Sequence, residues 1–429
     1  MAIIKNKYTL ALVASLTSLS FIFYTPSSTK TAAKSDNPKT LPSVVAKKKI
    51  TAPYIYKDTN PYLNQVLFEY ESFIKRAIEN NLAPGAAVAI IKDTSVIYLK
   101  GFGLRDVRTQ ESIDVHSVFR IGSVSKSFAS VLTGVLVDDQ KLSWGDSVQH
   151  YLPAFKLQTE EATKNLTIRH VLSHTIGLPY HAYTDRVDDG ANFDTLVYHL
   201  RDVALIGKPG QFYSYQNVGY SLIAKVIESA TGKTYEENMK EKLFSPLQMQ
   251  TASLSFADII NNDNVAKPHR YGKGWKSVSI SDTYYNVGPA GGVNASISDM
   301  AKWLLAITDG SHQLMKEETS DELFNPTIRA TAKNHNFWRW KRLKSAYYAM
   351  GWRVLNFKED TLVYHGGYVN GYRSEVAIHR KNKIAICVLV NAPGNLADIS
   401  IPKFFELFGK QKEAIASWEK IRVEPLARK

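Results

Sequence analysis

The sequence predicts a mixed α/β (α+β) fold: an antiparallel sheet from N- and C-terminal segments, flanked by helices, with an inserted, mainly helical lobe. Three observations lead there. Strand-like runs gather near the two ends of the chain, each forming a hairpin. Helical patterns precede the first hairpin and follow the last. Between them, residues 123–310 alternate helical stretches with Gly/Pro loops.

The elements follow in order. Residues 1–24 place Lys5 and Lys7 ahead of an apolar stretch, Tyr8 to Tyr24, broken by Ser and Thr. This reads as a signal peptide or a short membrane anchor. The anchor, through residues 8–24, is slightly preferred, because no small-x-small cleavage site directly follows Tyr24. Both readings imply export, to the periplasm or cell envelope, and the anchor implies attachment to the inner membrane. Residues 25–58, rich in Lys, Ser and Pro, read as a flexible tether. The folded domain is expected over 59–410, with 411–429 as a basic C-terminal tail.

Within that domain Leu67–Asn80 has a helical pattern. Ala86–Ile91 and Ser95–Leu99 form a hairpin across Lys92-Asp93-Thr94. Val118–Gly122 is extended, and Val124, Phe128, Val131, Leu132, Val135 and Leu136 then repeat at the spacing of a buried helix. Further on, Pro209 to Tyr220 turns into a helix at Leu222–Ile227. Thr361–Tyr364 is extended. Glu375–Ile378 and Ile384–Val390 form a second hairpin through Lys381-Asn382, and Pro402 to Phe408 opens a final helix. The single cysteine, Cys387, sits in an apolar run and reads as a buried strand residue; it has no disulfide partner.

Chemistry is suggested at three places. Ser123 stands at the strand-to-helix junction, where backbone N–H groups are free, and Lys126 follows one turn later on the same face. A hydroxyl beside a buried amine can lose its proton at neutral pH. S-x-x-K also occurs at Ser27, Ser72, Ser400 and Ser417, so context selects Ser123. Tyr215 and Asn217 lie two apart on a short irregular stretch that can aim both into one cleft, the phenol for proton transfer and the amide for holding a carbonyl. His365-Gly366-Gly367-Tyr368 ends an extended run, and the glycines let a substrate backbone approach the strand edge. His170 and His174 are four apart, but no third ligand accompanies them; both read as structural, and no metal site is expected.

These three motifs, in this order, resemble those of class C β-lactamases, D-alanyl-D-alanine carboxypeptidases and related esterases. Thr167–Pro179 and Pro289–Ser296 resemble family landmarks, and the likeness runs from about Asn60 to about Leu407. It implies a serine hydrolase of the β-lactamase/penicillin-binding-protein type, with the active site where sheet and helical lobe meet and no cofactor. By the resemblance, Ser123 forms the acyl-enzyme, and Lys126 and Tyr215 share the proton work. Asn217 positions substrate and Lys126. His365, Gly366, Gly367 and Tyr368 bind substrate, His365 orienting it or hydrogen-bonding Tyr215. The backbone N–H groups of Ser123 and Tyr368 form the oxyanion hole. Class C β-lactamases generally carry Lys where this chain has His365. The implied substrate is a D-alanyl peptide, a β-lactam or a small ester, with carboxypeptidase or esterase slightly favoured over efficient β-lactamase. The alternative is a non-catalytic scaffold or cell-wall-binding protein of the same fold.

Composition narrows the partners. The chain has 429 residues, 44% hydrophobic, and a net charge of +13. Residues 1–50 contain eight Lys and one Asp, so +7 sits there and +6 remains for the body. A nucleic-acid partner is therefore not expected; the partner is a small-molecule or peptidoglycan-type substrate. Lys333–Lys344 is cationic and aromatic. It reads first as a solvated loop and second as a patch for an anionic polymer or membrane surface.

Overall fold

The computed structural model describes residues 59–308, 314–330 and 339–423. Residues 1–24 and the whole of the tether expected over 25–58 lie outside the described residues, as do 333–338 of the cationic segment. Ala52–Lys429 forms one compact unit. Among the described residues no helix is long and apolar enough to cross a membrane.

Thirteen strands are described: β1 (Gly85–Lys92), β2 (Ser95–Asp106), β3 (Glu111–Ser112), β4 (Val118–Arg120), β5 (His269–Tyr271), β6 (Trp275–Ser277) and β7 (Asn294–Ser296) in the first part of the chain. The second part adds β8 (Ile328–Ala330), β9 (Ser345–Tyr348), β10 (Arg353–Asn356), β11 (Thr361–Val369), β12 (Tyr372–His379) and β13 (Ile384–Val390). Nine of them make one sheet in the order β3-β2-β1-β13-β12-β11-β10-β9-β8. N- and C-terminal segments meet at β1 and β13, which pair antiparallel from Ala86↔Val390 to Lys92↔Ile384. The expected α/β architecture, with its sheet drawn from both ends, is what the chain adopts.

Why the sheet sits centrally follows from the β1 and β13 sequences. Both are apolar at every position but Lys92, and successive residues face opposite sides. Ala87, Ala89, Ile91, Cys387 and Leu389 enter one core. Ala86, Val88, Ile90, Ile386 and Val388 enter the other. On the second face lie α1 (Pro61–Glu79) and the C-terminal helix Asn395–Val423, joined by an edge contact of Tyr70 with Phe404 at 5.4 Å. On the first face lie α2 (Ser125–Asp138) and the helix Ile297–Thr308, joined by Phe128 stacked on Trp303 at 4.1 Å. The span from 123 to 308 is mainly helical, with β5 and β6 as a small hairpin and β7 pairing back onto β4.

Several boundaries differ from the sequence reading. α1 begins at Pro61, six residues before the expected start, because Asn60 caps it by accepting from the Tyr62 and Leu63 N–H groups. The final helix begins at Asn395 and carries Pro402 inside it. Leu396, Ala397 and Ile401 are buried against the sheet and hold the turns ahead of that proline. The helix also continues to Val423, through the stretch expected to be a tail from 411. Ile415 is buried there, Asn60 donates to its carbonyl, and Lys412 pairs with Asp360. In the cationic segment Trp340 is buried against Tyr364, ring centroids 5.4 Å apart, and Arg339 pairs with Asp398. That part is anchored because an indole is too large an apolar body to leave solvated; Lys341, Arg342 and Lys344 are exposed.

Candidate functional site

Strand β4 stops at Arg120, and the chain passes through a 3₁₀ turn, Gly122–Val124, before α2 begins at Ser125. Ser123 thus sits in the turn between strand and helix, at the junction where it was expected. Gly122 has φ +50, and a Cβ there would lie 2.8 Å from the backbone of Tyr368. Gly367 is as tightly held, since a Cβ on it would meet the Ile121 carbonyl at 2.1 Å and the Ser123 nitrogen at 3.1 Å. These two glycines let the turn that carries Ser123 lie directly against β11.

The edge of β11 is open at that point. Its pairing with β10 ends at Arg353↔Tyr364, so residues after Tyr364 have no strand on that side. On the other side β11 turns into β12 through Asn370-Gly371, with φ of 36° and 89°, a two-residue turn of the kind favoured in hairpins. In such a ladder Val369 and Tyr372 exchange hydrogen bonds, and the next pair, Tyr368 and Arg373, turns its N–H groups outward. The Tyr368 N–H is thereby directed to the open edge where Ser123 lies.

Lys126 is fully buried. Its Nζ donates to Asn217 Oδ1 at 2.9 Å and to the Ala290 carbonyl at 2.9 Å, and lies 3.4 Å from Ser123 Oγ. Burial pushes its pKa well below the usual lysine value, and the Arg353 charge pushes the same way. The Tyr215 ring lies beneath the amine, 4.7 Å from Nζ to the centroid, and its hydroxyl interacts with the Ser123 side chain. Burial raises the Tyr215 pKa to about 12, against the opposing pull of Arg353 and Ser123.

Ser123, Tyr215, Gly366, Gly367 and Tyr368 open onto one cleft of about 410 Å³, together with Arg353. A larger groove of about 690 Å³ beside Met249–Leu254 shares none of these residues. The Ser123 hydroxyl and the Tyr215 phenol open onto the smaller cleft, with the perturbed Lys126 amine 3.4 Å from Ser123 Oγ. His181 also lines it, its pKa lowered to about 4 by burial and then by Lys126.

Of the residues expected to bind substrate, two lie outside the cleft lining. Asn217 is buried, its Oδ1 taken by Lys126 and its Nδ2 donating to Thr184 Oγ1, so it positions the lysine. His365 is fully buried, with Nε2 3.0 Å from the Tyr348 hydroxyl and Nδ1 2.9 Å from the Gly366 carbonyl. Both parities of β11 reach the cleft, Tyr364, Gly366 and Tyr368 from one and Gly367 from the other, so alternation alone does not place His365. His170 is part-buried, its Nδ1 accepting from the Thr167 N–H. Among the described residues no cluster of His, Cys, Asp or Glu could hold a metal ion.

The sequence reading passed over Arg353, Tyr348, Thr184 and the Ala290 carbonyl. Ala290 lies within the Pro289–Ser296 landmark, so that segment carried the signal for the last of them. Arg353 is buried in the short strand β10 among Tyr213, Tyr215 and Tyr348, with no motif around it. Arg353 hydrogen-bonds Tyr213, its Nε meets no acceptor among the described residues, and the two carboxylates that share its cleft, Glu375 and Asp398, pair with Arg373.

Comparison with known proteins gives one family model, described as Beta-lactamase, that matches residues 72–402. A relative named "Unguisins hydrolase ungD'", from Aspergillus campestris, is 26% identical over 322 residues, covering 72% of this chain and 59% of that protein. "Protein flp" of Staphylococcus aureus is 23% identical over 355 residues, covering 80% of this chain and 66% of that one. The chain thus spans three fifths to two thirds of the length of these curated relatives. A solved structure described as the octameric penicillin-binding protein homologue from Pyrococcus abyssi superposes with a TM-score of 0.69 at 26% identity, covering 80% of this chain and 76% of that one.

Proposed function

The chain belongs to the beta-lactamase family, and from that premise we propose that it is a serine hydrolase forming an acyl-enzyme at Ser123. The observation that carries this reading is the hydrogen bonding of Lys126. A neutral amine has two protons to donate and one lone pair. Asn217 Oδ1 and the Ala290 carbonyl take the two protons, and the remaining direction faces Ser123 Oγ at 3.4 Å. Burial and the Arg353 charge favour the neutral form. Lys126 is then the general base.

In the proposed sequence the Ser123 hydroxyl gives its proton to Lys126 as Oγ bonds to the substrate carbonyl carbon. The oxygen that becomes negative is met by the N–H groups of Ser123 and Tyr368. Tyr215, still protonated at neutral pH, donates to the leaving nitrogen or oxygen as its bond to the carbonyl carbon breaks, and Lys126 returns the captured proton to the phenol. Water reverses these steps on the acyl-enzyme. A relative whose name includes "hydrolase" supports the same class of reaction.

For the substrate, Arg353 supports a molecule with a carboxylate near the scissile carbonyl, since a guanidinium without an acid partner lines the cleft. A D-alanyl peptide fits this reading, a β-lactam also does, and a small ester without a carboxylate would leave Arg353 unused. Export through residues 1–24, to the periplasm or cell envelope, belongs to the same proposal.

The test incubates the protein and its Ser123→Ala variant with a penicillin and, separately, a fluorophosphonate, and measures intact mass. A Ser123-dependent adduct from both reagents is expected, with the penicilloyl form persisting. Fluorophosphonate labelling alone would assign an esterase-like pocket. A folded protein that takes neither reagent would return the fold to a scaffold or cell-wall-binding role.

A further inference from the structure

His174 reads as structural from the sequence, yet its place in the site asks for more than packing. It is fully buried behind Tyr215, ring centroids 4.3 Å apart, with the rings of Tyr220 and Tyr348 at 5.0 and 4.7 Å. Two of its atoms hold the residues on either side of that tyrosine. The Ser214 N–H donates to the His174 carbonyl at 2.9 Å, and the Gln216 N–H donates to His174 Nδ1 at 3.1 Å. The Tyr215 carbonyl itself accepts from the His181 N–H at 2.9 Å. An irregular stretch without a strand partner thereby gains a fixed frame of hydrogen bonds.

A backbone N–H can only donate, so Nδ1 must present its lone pair to Gln216, and the ring proton of the neutral imidazole sits on Nε2. Among the described residues Nε2 meets no acceptor. A buried donor left unmatched is unfavourable, and an apolar side chain of similar shape would avoid that cost. The lone pair on Nδ1 is what such a side chain would lack. The charged groups facing the ring are Lys126, Arg353, His365 and His181, none of them acidic, and burial with those neighbours holds its pKa well below the usual histidine value.

We propose that His174, with its ring proton on Nε2, is a positioning residue that sets the Tyr215 hydroxyl against Ser123 by clamping both of its backbone neighbours. The proposal rests on the acyl-enzyme reading above for its effect on rate. The clamp itself does not.

The experiment follows Ser123 acylation of the full-length protein by a fluorophosphonate across reagent concentrations, separating the maximal rate constant from the half-saturating concentration. His174→Phe keeps a flat ring and drops the acceptor. His174→Asn drops the ring and sets a carbonyl oxygen near the Nδ1 position. The Phe variant is expected to lose about 10- to 100-fold in maximal rate at unchanged half-saturation, as displacement of a reacting group does, while melting close to wild type. The Asn variant is expected to recover part of that rate even if it melts lower. A Phe variant that reacts as fast as wild type overturns the proposal, and so do variants that lose rate only in step with melting temperature. A second readout needs no reaction: ¹⁵N NMR of the unreacted wild-type protein should show His174 protonated at Nε2 and bare at Nδ1. A proton on Nδ1 removes the acceptor and sinks the clamp. If wild type is never acylated the hydrolase reading falls instead, and the NMR spectrum still decides the clamp.

Discussion

Burial and a neighbouring guanidinium act on Lys126 in the same direction, and the sign of their effect on rate can be worked out. If neutral Lys126 is the base, acylation rises as pH climbs through its depressed pKa and levels off above it. Arg353→Met removes the positive neighbour, lets the lysine pKa rise, and moves that acid limb to higher pH. A fluorophosphonate titration across pH reads the shift, and a limb that stays put or moves lower would assign the limb to another group. Lys126→Met should slow acylation by about 10³-fold or more, on the scale of other catalytic bases, with Ser123 still present. The pair Ser123 and Lys126 was legible because it follows a strand-to-helix junction and stands in order with the Tyr215/Asn217 and His365-Gly366-Gly367 motifs, context that the other S-x-x-K matches lack. His365 lies outside the cleft lining, and β11 carries buried residues on both faces, so its sequence does not say which of its residues look into the cleft. Arg353 was invisible for a plainer reason: it is a lone cation in a four-residue strand, and only the tertiary fold brings it beneath Tyr215, 5.6 Å from the ring centroid.

At the scale of elements, the site depends on how closely a turn and a strand approach. Ser374 Oγ donates to the Ile121 carbonyl at 2.5 Å, tying β12 to the turn through the space over Gly367. Gly367→Ala would drive a methyl group into that carbonyl. The expected result is a loss of about 1–3 kcal/mol in stability and a fall of about 10²-fold or more in acylation, read by denaturant melts and adduct rates. Gly366→Ala is the informative contrast. Its Cβ would meet the ends of Tyr364 and Glu375 at 2.7 and 2.8 Å, side-chain atoms that can move away, so a smaller loss of acylation is expected. A Gly367 variant as reactive as Gly366→Ala would mean that the close approach does not set the oxyanion site. The hairpins β1–β2 and β12–β13 could be read from continuous apolar runs around short turns. The β11–β12 hairpin, at Asn370-Gly371, carried an equally strong turn signal that the adjacent His-Gly-Gly motif overshadowed. Pro402 misled for the opposite reason, since a proline usually marks a helix start and here tertiary packing carries the helix past it.

At the scale of the whole molecule, the cleft is lined by residues between Ser123 and Asp398, and the sheet beneath it closes through β1 and β13. A chain beginning at Ala52 is therefore expected to acylate at the full-length rate, compared by intact mass under matched conditions. Truncation after Ala330 removes β9 to β13 and should leave no cooperative melt. The sheet's order also has a meaning in time. Synthesis delivers Ser123 and Lys126 early, whereas the strand that would complete the oxyanion pair follows 245 residues later, the difference between positions 123 and 368. At roughly 5–20 residues per second that interval is about 12–50 s. During it the nascent chain carries a serine and an amine but no place for the negative oxygen, so a half-made polypeptide stays chemically quiet until its last strands emerge.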